Sequence, residues 1–212
     1  KKEKIYFSEH HLSHAASAFF PSKFEKSLIL TLDAVGEWTT TSLALGYKNK
    51  IEIKEQINFP HSLGLLYSSF TYYLGFKVNS GEYKMMGLAP YGNPIFKDKI
   101  LSHIVKVKDD GSFKLNIDYF NFISGTTMIN NKFEKLFDHK RRLADRDEIT
   151  QFHMDVAASI QAVIEEIIIK IAKYFKNKYK INNLCLAGGV CLNCVANGKI
   201  LNLNIFENIW IQ

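Results

Sequence analysis

The sequence predicts an α/β fold in which a mixed sheet is flanked by helices. Three strand-like segments follow one another in the first third of the chain, and two further strands alternate with helices near its C-terminal end. Of the 212 residues, 47% are hydrophobic and 23% are charged. A chain of this composition can bury a sizeable core, which excludes a disordered or fibrous protein.

The three N-terminal strands are predicted from apolar runs and from alternation. Residues 27–32 are a short apolar run, which predicts a buried strand, and the following Asp33–Gly36 segment predicts a turn. Residues 39–46 and 51–59 supply two more strands. Asn49 lies between them as a turn residue, so we expect these two strands to form a hairpin.

Helices and further strands are predicted along the rest of the chain. Residues 61–76 have helical spacing that ends at Gly75, and residues 150–178 form the strongest helix, because their apolar residues alternate steps of four and three. We expect a strand at 183–186, a tight turn at Gly188–Gly189, a helix at 191–201 and a final strand at 208–211. The charged stretch at about 94–148 contains one expected strand, within 113–122, and is interpreted as a peripheral insertion.

The charge and the cysteine content limit which binding partners and which cellular compartment we expect. Lys and Arg outnumber Asp and Glu by 27 to 21, but the lysines are scattered and no aromatic-and-basic motif accompanies them, which argues against nucleic acid as a partner. The cysteines, Cys185, Cys191 and Cys194, cannot form a disulfide framework, which favours a cytoplasmic location. No apolar run reaches the roughly 18 residues of a membrane span, so we expect no membrane partner.

The first motif that can carry chemistry is a group of histidines near the N-terminus. His10 and His14 share one face if this segment is helical, whereas His11 points elsewhere, and a His11/His14 pairing at i, i+3 stays open. Asp33 ends an apolar strand, where α/β sheets gather ligands. Two histidines and a carboxylate suit a divalent cation, iron first, with zinc or manganese as alternatives. The alternative interpretation is solvated histidines and an Asp33 that only forms a turn.

The second motif is the segment 79–92, which combines glycines with polar side chains. Asn79, Ser80, Glu82 and Lys84 lie close together there. Glu82 can accept hydrogen bonds from hydroxyls, and Lys84 can neutralise an anion. The alternative interpretation is an ion pair that stabilises a turn.

The third motif is the segment 184–198, in which a strand runs through Gly188–Gly189 into a helix. Backbone N–H groups at such a helix start can bind a phosphate or an adenosine moiety. The segment is neither a Walker loop nor a GxGxxG fingerprint. Cys191 and Cys194 form a CxxC pair without the second pair that a zinc site needs, so we expect them to be small core residues.

With these motifs in place, the sequence resembles the O-carbamoyltransferases of the nodulation-protein-U and cephalosporin-carbamoylating type. The matching segments are HHLSHAASAFFPS at 10–22, LDAVGEWTTT at 32–41, FPHSLGLLYSSFTYYLGFKVNSGEYKMMGLAPYGNP at 59–94 and LCLAGGVCLNCVANGKI at 184–200. The resemblance implies one incomplete lobe of an actin-like (ASKHA, RNase-H-like) fold.

The resemblance also implies an activity and a set of site residues. In this family a YrdC-like domain makes carbamoyl-adenylate from carbamoyl phosphate and ATP, and the actin-like domain transfers the carbamoyl group to a hydroxyl of a small-molecule acceptor. His10, His14 and Asp33 match the metal ligands, and His14 or His11 is expected to assist deprotonation of the acceptor. The remaining matches face the nucleotide: Gly81, Glu82 and Lys84 in one loop, and Gly188, Gly189, Val190 and Asn193 in the adenosine-binding turn.

Departures from the family pattern set the expected domain organisation. Nine residues precede the histidine motif, the chain does not begin with Met, a GDxG-type segment does not follow, and Ala34 stands where the family usually has Gly. We therefore expect residues 1–26 to be the metal-binding helix region with a connection from a missing lobe, and 27–212 to be the second lobe, without the YrdC-like domain. The missing parts would be partners from the same polypeptide, and the 212-residue chain alone would bind metal weakly and not turn over.

Two other functions stay open at this point. One is tRNA threonylcarbamoyl transfer, carried out by a close fold relative, and the other is a non-catalytic nucleotide-binding module.

Overall fold

The computed structural model describes residues 4–212 and has a mixed α/β architecture with one five-stranded sheet and one two-stranded sheet. The strands are β1 (Lys26–Gly36), β2 (Thr39–Tyr47), β3 (Lys50–Asn58), β4 (Val105–Val107), β5 (Phe113–Leu115), β6 (Asn183–Ala187) and β7 (Asn208–Ile211). The helices are α1 (His10–Phe19), α2 (Leu63–Tyr73), α3 (Glu82–Leu88), α4 (Lys97–His103), α5 (Asn131–Phe137), α6 (Gln151–Tyr179) and α7 (Cys194–Asn202).

The main sheet has the strand order β3-β2-β1-β6-β7. β1, β2 and β3 form an antiparallel meander, whereas β6 pairs parallel with β1, and β7 pairs parallel with β6. The strands predicted at 27–32, 39–46, 51–59, 183–186 and 208–211 are confirmed, as is the hairpin between β2 and β3. The predicted turn at Asp33–Gly36 is wrong, because β1 continues through Gly36 with an irregular register and the chain reverses at Glu37–Trp38.

Helices cover both faces of the sheet. Side chains alternate between the faces of a strand, and in β1 Leu28, Leu30 and Leu32 belong to a large core that includes residues of α2 and α6. Ile29, between them, belongs to a smaller core with Ala15 and other residues of α1. The sheet thus separates α1 from α2 and α6, which lie on its other face. Helices from both faces lie close to the C-terminal end of β1.

The long helix α6 confirms the strongest helical prediction. This 29-residue helix begins with a capping box, in which the Thr150 side chain accepts the His153 N–H and the His153 side chain accepts the Thr150 N–H. It ends at Lys180, whose backbone is in the left-handed conformation. The predicted helix at 61–76 is present as α2, whose N-cap is Ser62. The helix predicted from 191 begins later, at Cys194, because a 3-10 turn occupies Gly189–Leu192.

The stretch at 94–148 contributes to the main core. Ile100, Phe113, Phe133 and Phe137 are buried in the same cluster as α2 and α6. The strand expected within 113–122 is limited to β5, and a 3-10 turn follows at Ile117–Tyr119. Among the described residues, no helix is both long and apolar enough to cross a membrane.

Candidate functional site

His10, His14 and Asp33 come together where α1 meets the end of β1. The Nε2 atom of His10 lies 2.8 Å from Asp33 Oδ2, and the Nε2 atom of His14 lies 3.0 Å from the same oxygen. One ligand atom from each residue lies within 4.8 Å of the others. The two histidines are one helical turn apart on α1, so the i, i+4 spacing places both rings on the face that looks toward the strand.

The backbone of β1 is held in place beside this cluster by small residues. At Gly36 a Cβ atom would lie 2.4 Å from His10 Cδ2 and 2.8 Å from His11 Cδ2, so only glycine lets the strand approach α1 this closely. Ser62, the N-cap of α2, donates its hydroxyl to the Ala34 carbonyl at 2.5 Å and accepts from the Leu65 N–H at 3.0 Å. The end of β1 is therefore tied to helices on both faces of the sheet.

Hydrogen bonding stabilises the charged form of Asp33. Partial burial of the carboxyl group raises its pKa, but hydrogen bonds from His10, from the Ala34 N–H and from His14 outweigh burial, so the pKa lies below its usual range. The side chain of Asp33 is 18% exposed, against 41% for His10 and 28% for His14. The cluster is thus an anionic oxygen faced by two imidazoles that solvent can reach.

His11 points away from the cluster. It is buried under α1, with Nδ1 at 3.1 Å from Ser42 Oγ, and its Nε2 atom has no partner among the described residues. Burial lowers the pKa of His11 to about 4. The histidine pair that shares Asp33 is therefore His10/His14 rather than the i, i+3 pair His11/His14.

A cavity of about 380 Å³ opens beside the cluster and brings the three sequence motifs together. Asp33 lines this cavity. The second motif contributes Asn79, Ser80 and Glu82 to its wall, and the third contributes Gly189, Val190 and Asn193. Lys84 does not line this cavity. It is exposed on α3, whose residues Tyr83 and Met86 face the cavity.

The carboxylate of Glu82 accepts hydrogen bonds from residues around it in the protein. Oε1 accepts hydrogen bonds from Ser68 Oγ at 2.8 Å and from the Asn79 N–H at 3.0 Å, and Oε2 accepts from the Gly81 N–H at 3.1 Å. These bonds shape the segment 79–81 before α3 begins. Glu82 thus lines the cavity while it organises this loop.

The Gly188–Gly189 turn lies directly against the end of β1. Gly188 has φ of 90°, and a Cβ atom there would lie 2.3 Å from the Leu32 carbonyl oxygen. A Cβ atom at Gly189 would lie 3.4 Å from Asp33 Oδ1. Asn193 then caps α7 by accepting the Ala196 N–H at 3.0 Å, so the start of α7 faces the same space as Asp33.

A buried polar network under the cavity was not predicted from the sequence. Gln161 and Asn193 form a reciprocal amide pair, with both N–H···O distances at 3.0 Å. Tyr67 Oη donates to Gln161 Oε1 at 2.8 Å, and Gln161 Nε2 also donates to Glu165 Oε1 at 2.9 Å. The local signal was two polar residues, Gln161 and Glu165, one turn apart on the otherwise apolar face of α6.

The network also fixes proton positions. Burial, and then the nearby Glu165 and Glu82 carboxylates, raise the pKa of Tyr67, so its hydroxyl remains a donor. Lys199 pairs with the otherwise buried Glu165. This network joins α2, α6 and the turn before α7 into one support for the cavity.

Comparisons with known proteins identify the family. The sequence matches the Carbamoyltransferase N-terminus family over residues 1–212. An uncharacterized protein of Synechocystis sp. is 55% identical over 208 residues, which are 98% of this chain and 34% of that protein. The nodulation protein NolNO of Sinorhizobium fredii is 38% identical over 211 residues, which are 99% of this chain and 29% of that protein.

A third relative agrees with the first two. The nodulation protein NolO of Bradyrhizobium diazoefficiens is 34% identical over 205 residues, which are 96% of this chain and 35% of that protein. The chain therefore spans about a third of the length of these relatives. Since the family match extends over every residue from 1 to 212, the chain belongs to the Carbamoyltransferase N-terminus family.

Proposed function

We propose that this chain is part of a metal-dependent O-carbamoyltransferase, which moves a carbamoyl group from carbamoyl-adenylate to a hydroxyl of a small-molecule acceptor. Carbamoyl-adenylate would itself be made from carbamoyl phosphate and ATP. The observation that carries the proposal is the meeting of the His10–His14–Asp33 cluster with a 380 Å³ cavity lined by the other two motifs. Membership of the Carbamoyltransferase N-terminus family supports it.

The donor atoms of the cluster fit a divalent cation. Two imidazole nitrogens and one carboxylate oxygen are a ligand set that iron, zinc and manganese accept, with iron as our first choice. The Nε2 atoms of His10 and His14 lie 2.8 and 3.0 Å from Asp33 Oδ2, so the three donor atoms converge on one point. When bound, a divalent cation supplies Lewis-acid stabilisation of charge that develops on an oxygen of the substrate.

The cavity would hold the adenylate. Gly189 in the turn and Asn193 at the start of α7 line this space, and the N-terminal end of a helix favours a phosphate group. Tyr67, Ile164 and Val190 supply apolar lining for a nucleoside. In this arrangement the carbamoyl group would lie toward Asp33, because that residue belongs both to the cavity wall and to the cluster.

The chemical step needs one proton acceptor. The acceptor oxygen attacks the carbamoyl carbon, the bond from that carbon to the phosphate oxygen of AMP breaks, and the hydroxyl proton passes to a base. We keep His14 as the candidate base, a role it could take only while it is not holding the cation, because a neutral imidazole that binds a metal through one nitrogen carries its proton on the other. His11 is buried and contacts Ser42, so we assign it a positioning role under α1.

The proposal extends to fold and domain organisation. We propose that the sheet and its helices are one lobe of an actin-like fold, with residues 1–26 as the metal-binding helix region and 27–212 as the lobe. The other lobe and a YrdC-like domain would then belong to the same polypeptide. The support is that the chain spans about a third of the length of its relatives.

The activity can be tested with the full-length protein. It would be incubated with carbamoyl phosphate, ATP and a panel of hydroxylated small molecules or tRNA, followed by mass spectrometry. We expect AMP together with a carbamoylated small molecule. Modified tRNA would instead support threonylcarbamoyl transfer, and the absence of any product would support a non-catalytic nucleotide-binding module.

Replacement of one ligand tests the metal. In His10→Ala we expect metal affinity and carbamoyl transfer to fall by more than about 100-fold, since even outer contacts of metal ligands cost about 10- to 100-fold. His103→Ala is the matched control, because His103 is exposed on α4. Metal content measured by plasma mass spectrometry gives a readout apart from turnover, and near-normal values for His10→Ala would contradict the assignment.

A further inference from the structure

The first turn of α2 lies directly against the peptide bond that joins Asp33 to Ala34. At Gly64 a Cβ atom would lie 2.6 Å from the Ala34 nitrogen and 2.8 Å from the Asp33 carbonyl oxygen. Because both neighbours are backbone atoms, a side chain at this position would force the helix away from β1. Gly64 and Asp33 also line the cavity, so this contact lies beside the histidine cluster.

The hydroxyl of Ser62, the N-cap of α2, binds the backbone of the same segment. Ser62 is fully buried, and its Oγ atom lies 3.2 Å from the Asp33 carbonyl oxygen and 2.5 Å from the Ala34 carbonyl oxygen. Oγ also accepts the Leu65 N–H at 3.0 Å. A hydroxyl has one proton to donate, and here the two carbonyl groups share it. A residue that only caps a helix needs only the bond from the helix N–H, so the two carbonyl contacts mark an additional role.

The peptide that Ser62 contacts in turn holds the Asp33 carboxylate. The carbonyl group of Asp33 and the N–H group of Ala34 belong to one planar unit. The Ala34 N–H donates to Asp33 Oδ1 at 2.8 Å, and Oδ2 of the same carboxylate lies 2.8 Å from His10 and 3.0 Å from His14. Hydrogen bonds therefore connect the start of α2 to the orientation of the carboxylate that the histidines share.

We propose that Ser62 is a positioning residue, which fixes the Asp33–Ala34 peptide and thereby orients the Asp33 carboxylate for a divalent cation. Loss of a group that orients a metal ligand typically lowers metal affinity by about 10- to 100-fold. Ser62 acts through the backbone of the ligand, so we expect an effect at the lower end of this range. The assignment rests on the metal site of the proposed O-carbamoyltransferase.

Metal affinity can be measured without turnover. The metal-free full-length protein would be titrated with Co²⁺, followed by calorimetry and by the visible absorption of bound cobalt, which reports on ligand geometry. In Ser62→Ala we expect the affinity for Co²⁺ to fall about 10-fold and the cobalt spectrum to change. Ser62→Gly should show the same fall, because it also lacks the hydroxyl, although glycine is a better N-cap than alanine and disturbs the helix less.

Asn130→Ala is the matched control for the loss of an N-cap. Asn130 caps α5 by accepting the N–H groups of Lys132 and Phe133. Its side-chain amide donates to the carbonyl groups of Asp118 and Phe120, so its contacts lie away from β1. We expect this variant to lower Tm and to leave the affinity for Co²⁺ unchanged.

The outcomes separate the positioning role from capping and from the activity. An unchanged Co²⁺ affinity in Ser62→Ala and Ser62→Gly would overturn the positioning role, as would an equal fall in Asn130→Ala. An affinity that recovers together with Tm in Ser62→Gly would assign the effect to capping and also overturn it. A Co²⁺ affinity that depends on Ser62, in a protein that transfers no carbamoyl group, would support the positioning role and reject the transferase function.

Discussion

Two polar clusters border the cavity, and they differ in how fully their groups are used. The cluster of His10, His14 and Asp33 directs two imidazoles at one carboxylate oxygen and remains partly exposed. The amide network around Gln161 and Asn193 is buried, and its members satisfy one another. A buried and satisfied network confers rigidity, whereas a partly exposed convergence of donors retains capacity for a ligand.

Among variants that keep all three residues of the cluster, the largest expected effect tests whether the cluster depends on the close approach of β1 to α1. In Gly36→Ala the new Cβ atom would lie 2.4 Å from the His10 ring, so the ring must move away from Asp33. We expect metal affinity to fall about 10- to 100-fold, as it does when the orientation of a ligand is lost. Calorimetric titration with a divalent cation measures this.

Gly87→Ala is the matched control for that variant. A Cβ atom at Gly87, in α3, would meet nothing within 4 Å, so metal affinity should stay unchanged. Equal affinities in the two alanine variants would show that the position of His10 is not critical.

A smaller effect, on stability, is expected in the buried network. Gln161→Ala leaves Tyr67, Asn193 and Glu165 without a shared partner in a buried setting. We expect a loss of about 3 kcal/mol in the free energy of unfolding, and a fall in Tm of about 6–12 °C. Thermal unfolding followed by circular dichroism measures the change, with exposed Gln56→Ala on β3 as the control.

The comparison between the clusters predicts a second result for Gln161→Ala. If this network only supports the cavity, metal affinity should remain within about threefold of the parent protein, because the side-chain hydrogen bonds of Gln161 go to Tyr67, Glu165 and Asn193 rather than to the histidine cluster. A metal affinity that falls together with Tm would show that the two clusters act as one unit.

The smallest effect concerns a third polar group, His153 at the start of α6. Burial, and then nearby His139 and Arg142, lower the pKa of His153 from 6.5 to about 4. The folded state therefore favours the neutral ring, so its contribution to stability is complete above about pH 6.5 and is lost as the pH falls toward 4. His11, also at about 4, titrates in the same window.

His153→Gln isolates the contribution of His153. A glutamine at this third helical position can still accept the Thr150 N–H that His153 Nδ1 accepts at 3.0 Å, so the capping box is kept. We expect the histidine-dependent slope of stability between pH 6.5 and 4 to become shallower, measured by urea unfolding at a series of pH values, because one of the three histidines with a lowered pKa is removed. Exposed His103→Gln should leave the slope unchanged, and an unchanged slope in His153→Gln would contradict the assignment.

Local signals in the sequence were sufficient for the long elements and for the cluster. The apolar run of β1 and the periodicity of α6 predicted their types, and the i, i+4 spacing of His10 and His14 placed both rings on one face. The helix α3 was missed because seven residues containing Gly87 have little helical stability of their own. Packing of Met85 into the main core stabilises it instead.

Long-range contacts account for what could not be predicted. Gln161 and Asn193 are 32 residues apart, and Tyr67 lies 94 residues before its partner Gln161. Contacts at these separations leave no local pattern in the sequence, so the network could not be predicted. The end of β1 was misjudged for a similar reason. Asp33–Gly36 has the composition of a turn, but pairing of Gly36 with Thr39 on β2 keeps it in the sheet.

Asp33 belongs both to the histidine cluster and to the wall of the cavity, and this has a thermodynamic consequence for the proposed sites. Its Oδ2 atom faces the two histidines, while its Oδ1 atom lies near the Gly188–Gly189 turn of the cavity. Any ligand that fixes this side chain from one side changes the free energy of binding on the other. Linkage requires the effect to be reciprocal, so a nucleotide that tightens metal binding by a given factor must itself be bound more tightly by the same factor when the metal is present.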